Sequence, residues 1–133
     1  MSLIKVRAAL ETALNAMSPA LSTSWENVPF VPVNGVPYQQ AYIDPNDPDN
    51  PEYGDGFQES GIFQINLRYP LQNGTADAMA RAELIRDTFT VGKSFSNTGQ
   101  IVTITKTAAI GKGQAVADRW FLPVRIFFYT NNF

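Results

Sequence analysis

Leu3, Val6, Leu10, Ala13 and Met17 recur at intervals of three and four, the repeat of one helix face, so the chain is expected to open on a helix whose apolar stripe packs into a core. Ser2 stands in the capping position and Ser18-Pro19 closes the segment. Leu21 through Trp25 alternate as a strand does, and then Val28-Pro29-Phe30-Val31-Pro32 and Asn34-Gly35 break regular pairing. Tyr38, Gln40 and Tyr42 alternate with Gln39, Ala41 and Ile43, a second strand. The clearest alternation lies at 62–69, where Phe63, Ile65, Leu67 and Tyr69 are expected on the core face and Ile62, Gln64, Asn66 and Arg68 on a wet one. Pro70 and Asn73-Gly74 end this strand, and Thr75 is placed to cap a second helix. Its expected buried stripe is Ala78, Ala82, Ile85 and Phe89, with Asp77 and Arg81 as a surface pair on the outer face and Gly92 as the stop.

Residues 100–107 are rich in threonine, isoleucine and valine, as strands are, and Gly111-Lys112-Gly113 reads as a flexible hairpin loop before a last, long strand. In that strand Trp120, Leu122, Val124, Ile126 and Phe128 share one face; Arg119, Phe121, Pro123, Arg125, Phe127 and Tyr129 share the other. Pro123 removes a ladder donor, which predicts an edge position or a bulge. Phe121, Phe127 and Tyr129 are too apolar for a purely solvated face, so cover by another element or another subunit is expected. The architecture predicted is α+β: two helices packed on a mainly antiparallel sheet of about five strands, in the order α-β-β-β-α-β-β.

The 133 residues suit one domain, 1–133, and 44% apolar with 12% aromatic residues is enough to build its core. Between 44 and 59 the composition changes: Asp44, Asp47, Asp49, Glu52, Asp55 and Glu59 stand with no base, among prolines and glycines that break helix and strand. Such a loop is either a binding arm or a disordered tip. The overall formal charge of -2 hides this division, because residues 60–133 carry eight bases against four acids. It also supplies no global positive field for nucleic acid or an anionic membrane.

Cysteine and histidine are both absent, which removes disulfides, thiolate nucleophiles, zinc sites of the usual kind and histidine-dependent triads. Gly92-Lys93-Ser94 ends like a phosphate loop, but Asp87 stands where its first glycine belongs and the segment follows a helix. Gly111-Lys112-Gly113 fails as a dinucleotide fingerprint because Val116 replaces the required small residue. Asn73-Gly74-Thr75 fits a glycosylation acceptor but reads as a turn and cap. The acidic loop lacks calcium-loop spacing, and its acids are not a rigid carboxylate pair across a cleft. No constellation supports an enzyme, and no cofactor or metal is expected. No stretch reaches membrane-spanning length and the amino terminus lacks a signal peptide's apolar run, so a soluble protein of the cytoplasm is expected. Arg119, Phe121, Arg125, Phe127 and Tyr129 form a basic and aromatic face that suits either a protein interface or single-stranded nucleic acid. The acidic balance of the chain favours the interface, without sequence-specific nucleic acid.

Trp25-Glu26-Asn27-Val28-Pro29-Phe30, Gly35-Val36-Pro37-Tyr38, Gly61-Ile62-Phe63-Gln64-Ile65 and Tyr69-Pro70 follow one another in an order that resembles a phage-related minor tail protein family, itself similar to the lambda-type tail terminator. The likeness continues through Asn73-Gly74-Thr75, Phe89-Thr90-Val91-Gly92 and Trp120-Phe121-Leu122-Pro123-Val124, nearly the whole chain. The resemblance implies a structural, non-catalytic protein of a phage or prophage that caps the tail tube as a hexameric ring and offers a head-attachment surface. Its implied partners are copies of itself, the tail tube protein and a head-completion or connector protein. Its implied place is the head-proximal end of the virion tail, after assembly in the host cytoplasm. The chain departs from that family in its proline- and aspartate-rich arm, so no contact role carries over to the arm. The division of charge itself predicts that the arm, through Asp47, Asp49, Glu52 and Asp55, docks on a basic surface of a neighbouring subunit. Arg119, Phe121, Arg125, Phe127 and Tyr129 complete the expected interface.

Overall fold

The computed structural model describes residues 3–18, 20–46, 57–71 and 74–132. Ser2, Pro19, Asn73 and most of the acidic arm, including Asp47, Asp49, Glu52 and Asp55, lie outside the described residues. The elements are α1 (Leu3–Asn15), β1 (Ser22–Trp25), β2 (Tyr38–Pro45), β3 (Phe57–Pro70), α2 (Ala76–Thr88), β4 (Ser94–Asn97), β5 (Gln100–Ile110), β6 (Gln114–Val116) and β7 (Arg119–Asn132). The α+β class holds, but among the described residues the sheet has seven strands, in the order β1-β2-β3-β7-β5-β4 with β6 also on β7. The two strands that were not expected, β4 and β6, are four and three residues long, too short to show a period.

Both helices lie on one face of the sheet, α1 against β4 and β5 and α2 against β7, β5 and β3. Period two in the strands explains why this works. Phe63, Ile65 and Leu67 of β3 stand opposite Ile126, Val124 and Leu122 of β7, and all six are buried. Val6, Leu10 and Leu14 of α1, four residues apart, and Ala78, Ala82 and Ile85 of α2 close over them. Phe89, just past α2, meets Phe63 edge-on at 6.0 Å. Leu3 departs from the expected stripe: it is 42% exposed and, with Ile4, flanks a small apolar pocket beside Ile43 and Pro45.

Several local expectations are corrected. Arg81 is buried, not on an outer face, because at three residues beyond Ala78 it falls on the flank of the buried stripe. Burial lowers its pKa from the ordinary value, and the neighbouring Tyr69 phenol partly opposes this. Asn66 is buried too, although its strand position lies opposite the core. Thr75 occupies the cap position without a side-chain hydrogen bond. The helix ends at Thr88, where Phe89 N–H closes on the Ile85 carbonyl; Gly92, at φ +84°, serves the turn that follows.

Pro123 sits in the middle of the sheet, between β3 and β5, and not at an edge. The reason is a break in its neighbour. β5 leaves β7 at Val124 and β6 joins it at Phe121, so residues 111–113 form an in-line gap and not a hairpin loop. A strand residue aims its N and C=O to the same side, and the Pro123 carbonyl accepts from Gly111 N–H at 2.8 Å. The missing donor of Pro123 therefore faces the gap and removes no bond from β3. Glycine is required there: a Cβ on Gly113 would stand 2.5 Å from the Trp120 ring, and one on Gly111 2.7 Å from Pro123 Cγ. The register shifts occur in the β5–β7 pairing, between Ile104 and Ala109, where Arg86 donates to the Ala108 carbonyl.

Candidate subunit interface

β1 and β2 run parallel, Ser22 opposite Tyr38 and Trp25 opposite Ala41. A parallel pair needs a crossover, which is usually a helix. Here residues 26–37 make it as an irregular strap over the sheet face that the helices leave open. Glu26 ties its start, accepting from Arg7 at 2.9 Å and from Ile43 N–H at 3.2 Å. Burial raises the Glu26 pKa, but these hydrogen bonds and the Arg7 charge together outweigh it, and the carboxyl stays below the ordinary glutamate value. At the far end a turn closes with Val36 N–H on the Val33 carbonyl, with Gly35 at φ +80° as a type II turn demands.

Arg119 pins that turn. Its guanidinium donates to the carbonyl oxygens of Val33, at 2.7 Å, and Val36, and lies 4.9 Å from the centre of the Tyr38 ring. Phe30 of the strap packs on the same ring at 5.0 Å. The strap itself is strongly apolar on its outside, with Val31 84% and Val33 62% exposed. A groove of about 610 Å³ runs between strap and sheet, lined by Trp25, Val28, Pro29, Gln40, Tyr42 and Asn66.

Beyond the strap, the open face continues in cross-strand rows. Arg68 of β3 stands opposite Phe121 of β7, Gln64 opposite Arg125, and Ile62 opposite Phe127. Arg68 donates to Gln40 at 2.9 Å and holds its guanidinium 4.4 Å from the Phe121 ring centre. Lys106 of β5 places its ammonium 4.1 Å from the Phe127 ring centre. Phe121, Phe127 and Tyr129 are half-buried and Arg125 is exposed. The face thus brings together Phe121, Arg125, Phe127 and Tyr129, whereas Arg119 is buried and engaged with the chain's own strap. Sequence reasoning missed Arg68 and Lys106, whose role depends on register with β7, and the path of the strap, whose signals were the prolines of 28–32 and Asn34-Gly35. Among the described residues no group of three acidic, histidine or cysteine side chains could hold a metal. No helix of the described residues is long and apolar enough to cross a membrane.

The helices thus cover one sheet face, and the strap and the cation–aromatic rows occupy the other. A family profile described as phage tail terminator protein matches residues 5–128. The chain belongs to the phage tail terminator family. Among solved structures, one chain superposes at a TM-score of 0.80 with 27% sequence identity, over 100% of this chain and 97% of that one. No curated protein sequence matches the chain. The family is structural, so the chain is a structural component of a phage tail and belongs at the virion tail.

Proposed function

We propose that the chain caps the tail tube as a hexameric ring and presents a surface for head attachment, in a phage or prophage, with the tube protein and a head-completion or connector protein as partners. The observation that carries this reading is the open face of β7, where half-buried aromatics and exposed cations lie side by side without cover from the helices. The charge division extends it: the acidic arm, through Asp47, Asp49, Glu52 and Asp55, contacts a neighbouring subunit. The alternative use of the 119–129 face, as a monomeric adaptor or single-stranded nucleic-acid binder, is disfavoured by the same geometry. Base stacking needs free aromatic faces, and Arg68 and Lys106 already lie over the Phe121 and Phe127 rings. Native mass measurement and electron microscopy with tail tubes test the proposal: rings seated at tube ends are expected. Monomers that never bind tube ends would refute it.

A further inference from the structure

We infer that the open face of β7 and β5 receives the outer face of helix α2 from the next copy of the chain, head to tail. This rests on the ring reading and names the two surfaces that meet. Among the described residues, once the strap has covered the Tyr38 end, the charges of the open face are Arg68, Lys106 and Arg125, with Asp44 at its corner. The outer face of α2 is the opposite. Asp77, Glu83 and Asp87 are exposed, while Arg81 is buried and Arg86 is turned to the Ala108 carbonyl. Between Asp77 and Glu83 the exposed residues are Met79 and the small Ala80, so the acids are flanked by apolar surface.

Within one chain these two surfaces cannot meet, because α2 packs on the other side of the sheet from Arg68, Lys106 and Arg125. A second copy can bring them together. A surface that fits a different surface of its own kind makes a heterologous contact, which yields a ring when the rotation closes. The spacing also fits. Glu83 and Asp87 are about 6 Å apart along the helix axis. Arg125 and Lys106 are separated by roughly two residue rises and one strand spacing, about 8 Å, within reach of two long side chains. The half-buried rings of Phe127 and Tyr129 then gain further cover.

The test uses charge reversal at exposed positions, Arg125→Glu and Glu83→Lys, read by native mass and light scattering with thermal unfolding as the folding control. Each variant alone is expected to unfold like the wild type and to lose assembly on the order of 100-fold in association constant, from like charges placed opposite each other. An equimolar mixture of the two is expected to assemble, because alternating subunits restore opposite charge at every junction. The doubly reversed chain is expected to assemble alone. If the wild type forms rings and both single variants do so equally well, the α2 contact is overturned while the ring reading stands. Loss of assembly on changing Asp47, Asp49, Glu52 and Asp55 to Asn, with Glu83→Lys unaffected, gives the face to the acidic arm and overturns the inference. Salt-dependent oligonucleotide binding lost in Arg125→Glu, with assembly intact, overturns it in favour of nucleic acid. A wild type that stays monomeric, alone and with tubes, refutes both readings.

Discussion

The two faces of one sheet are built from different interactions. Toward the helices, β3 and β7 present Phe63, Ile65, Leu67, Leu122, Val124, Ile126 and Phe128, none more than 2% exposed, and stability there comes from apolar area removed from water. Toward the strap, the same strands present Arg68, Gln64, Phe121 and Phe127, held by cation–aromatic contacts and side-chain hydrogen bonds, and the exposed Arg125. Such contacts contribute little each when solvated. One face therefore maintains the fold, and the other adds less to it.

Truncation separates the faces most sharply. Phe63→Ala should destabilise the subunit by about 3–5 kcal/mol in urea unfolding, because a fully buried ring leaves a cavity between β3 and Phe89. Arg119→Ala comes next, at about 1–3 kcal/mol, since the carbonyls of Val33 and Val36 lose their charged donor. Hydrogen exchange should then rise in the strap and stay unchanged in β3 and β7; equal loosening of the core strands would show that Arg119 supports the whole sheet. Phe127→Ala, a ring of the same size as Phe63 on the other face, should cost the isolated subunit only about 1 kcal/mol while weakening assembly more. A loss as large as that of Phe63→Ala would erase the contrast between the faces.

The smallest effect belongs to Glu26. Its pKa is held below the ordinary value in the folded chain, so its contribution is present above the unfolded pKa and fades as pH falls through the folded one. The carboxylate is partly exposed, which limits the gain to the surface-pair scale, below about 1 kcal/mol. Glu26→Gln should therefore be slightly less stable than the wild type at about pH 7, and the difference should close toward about pH 3. A gap that widens in acid would contradict the Arg7–Glu26–Ile43 tie at the strap's start.

The alternation at 62–69 and 120–128 was legible because side-chain direction in a strand depends only on parity. The apolar positions of α2 were legible for the corresponding reason at period 3.6, though Arg81 escaped, since a long side chain on the flank of a stripe shows no sign of its burial. Pro123 was misjudged because the rule concerns its own strand, and the gap that accommodates it lies in the neighbour. Arg119 was placed on the correct face, but its engagement with the strap was not foreseen. Its acceptors are 83 and 86 residues away in the chain, beyond any local pattern.

By itself, then, the sequence determined that two helices cover one face of a sheet and which half of each long strand faces them, because periodic burial is a property of neighbouring residues. Only the tertiary structure decided what happens on the other face. It laid residues 26–37 across β2 and β3, engaged Arg119 with them, and set Lys106 over Phe127 and Arg68 over Phe121. Those pairings arise from strand register and crossover path, which are chosen by the whole chain's burial at once and are written in no single segment.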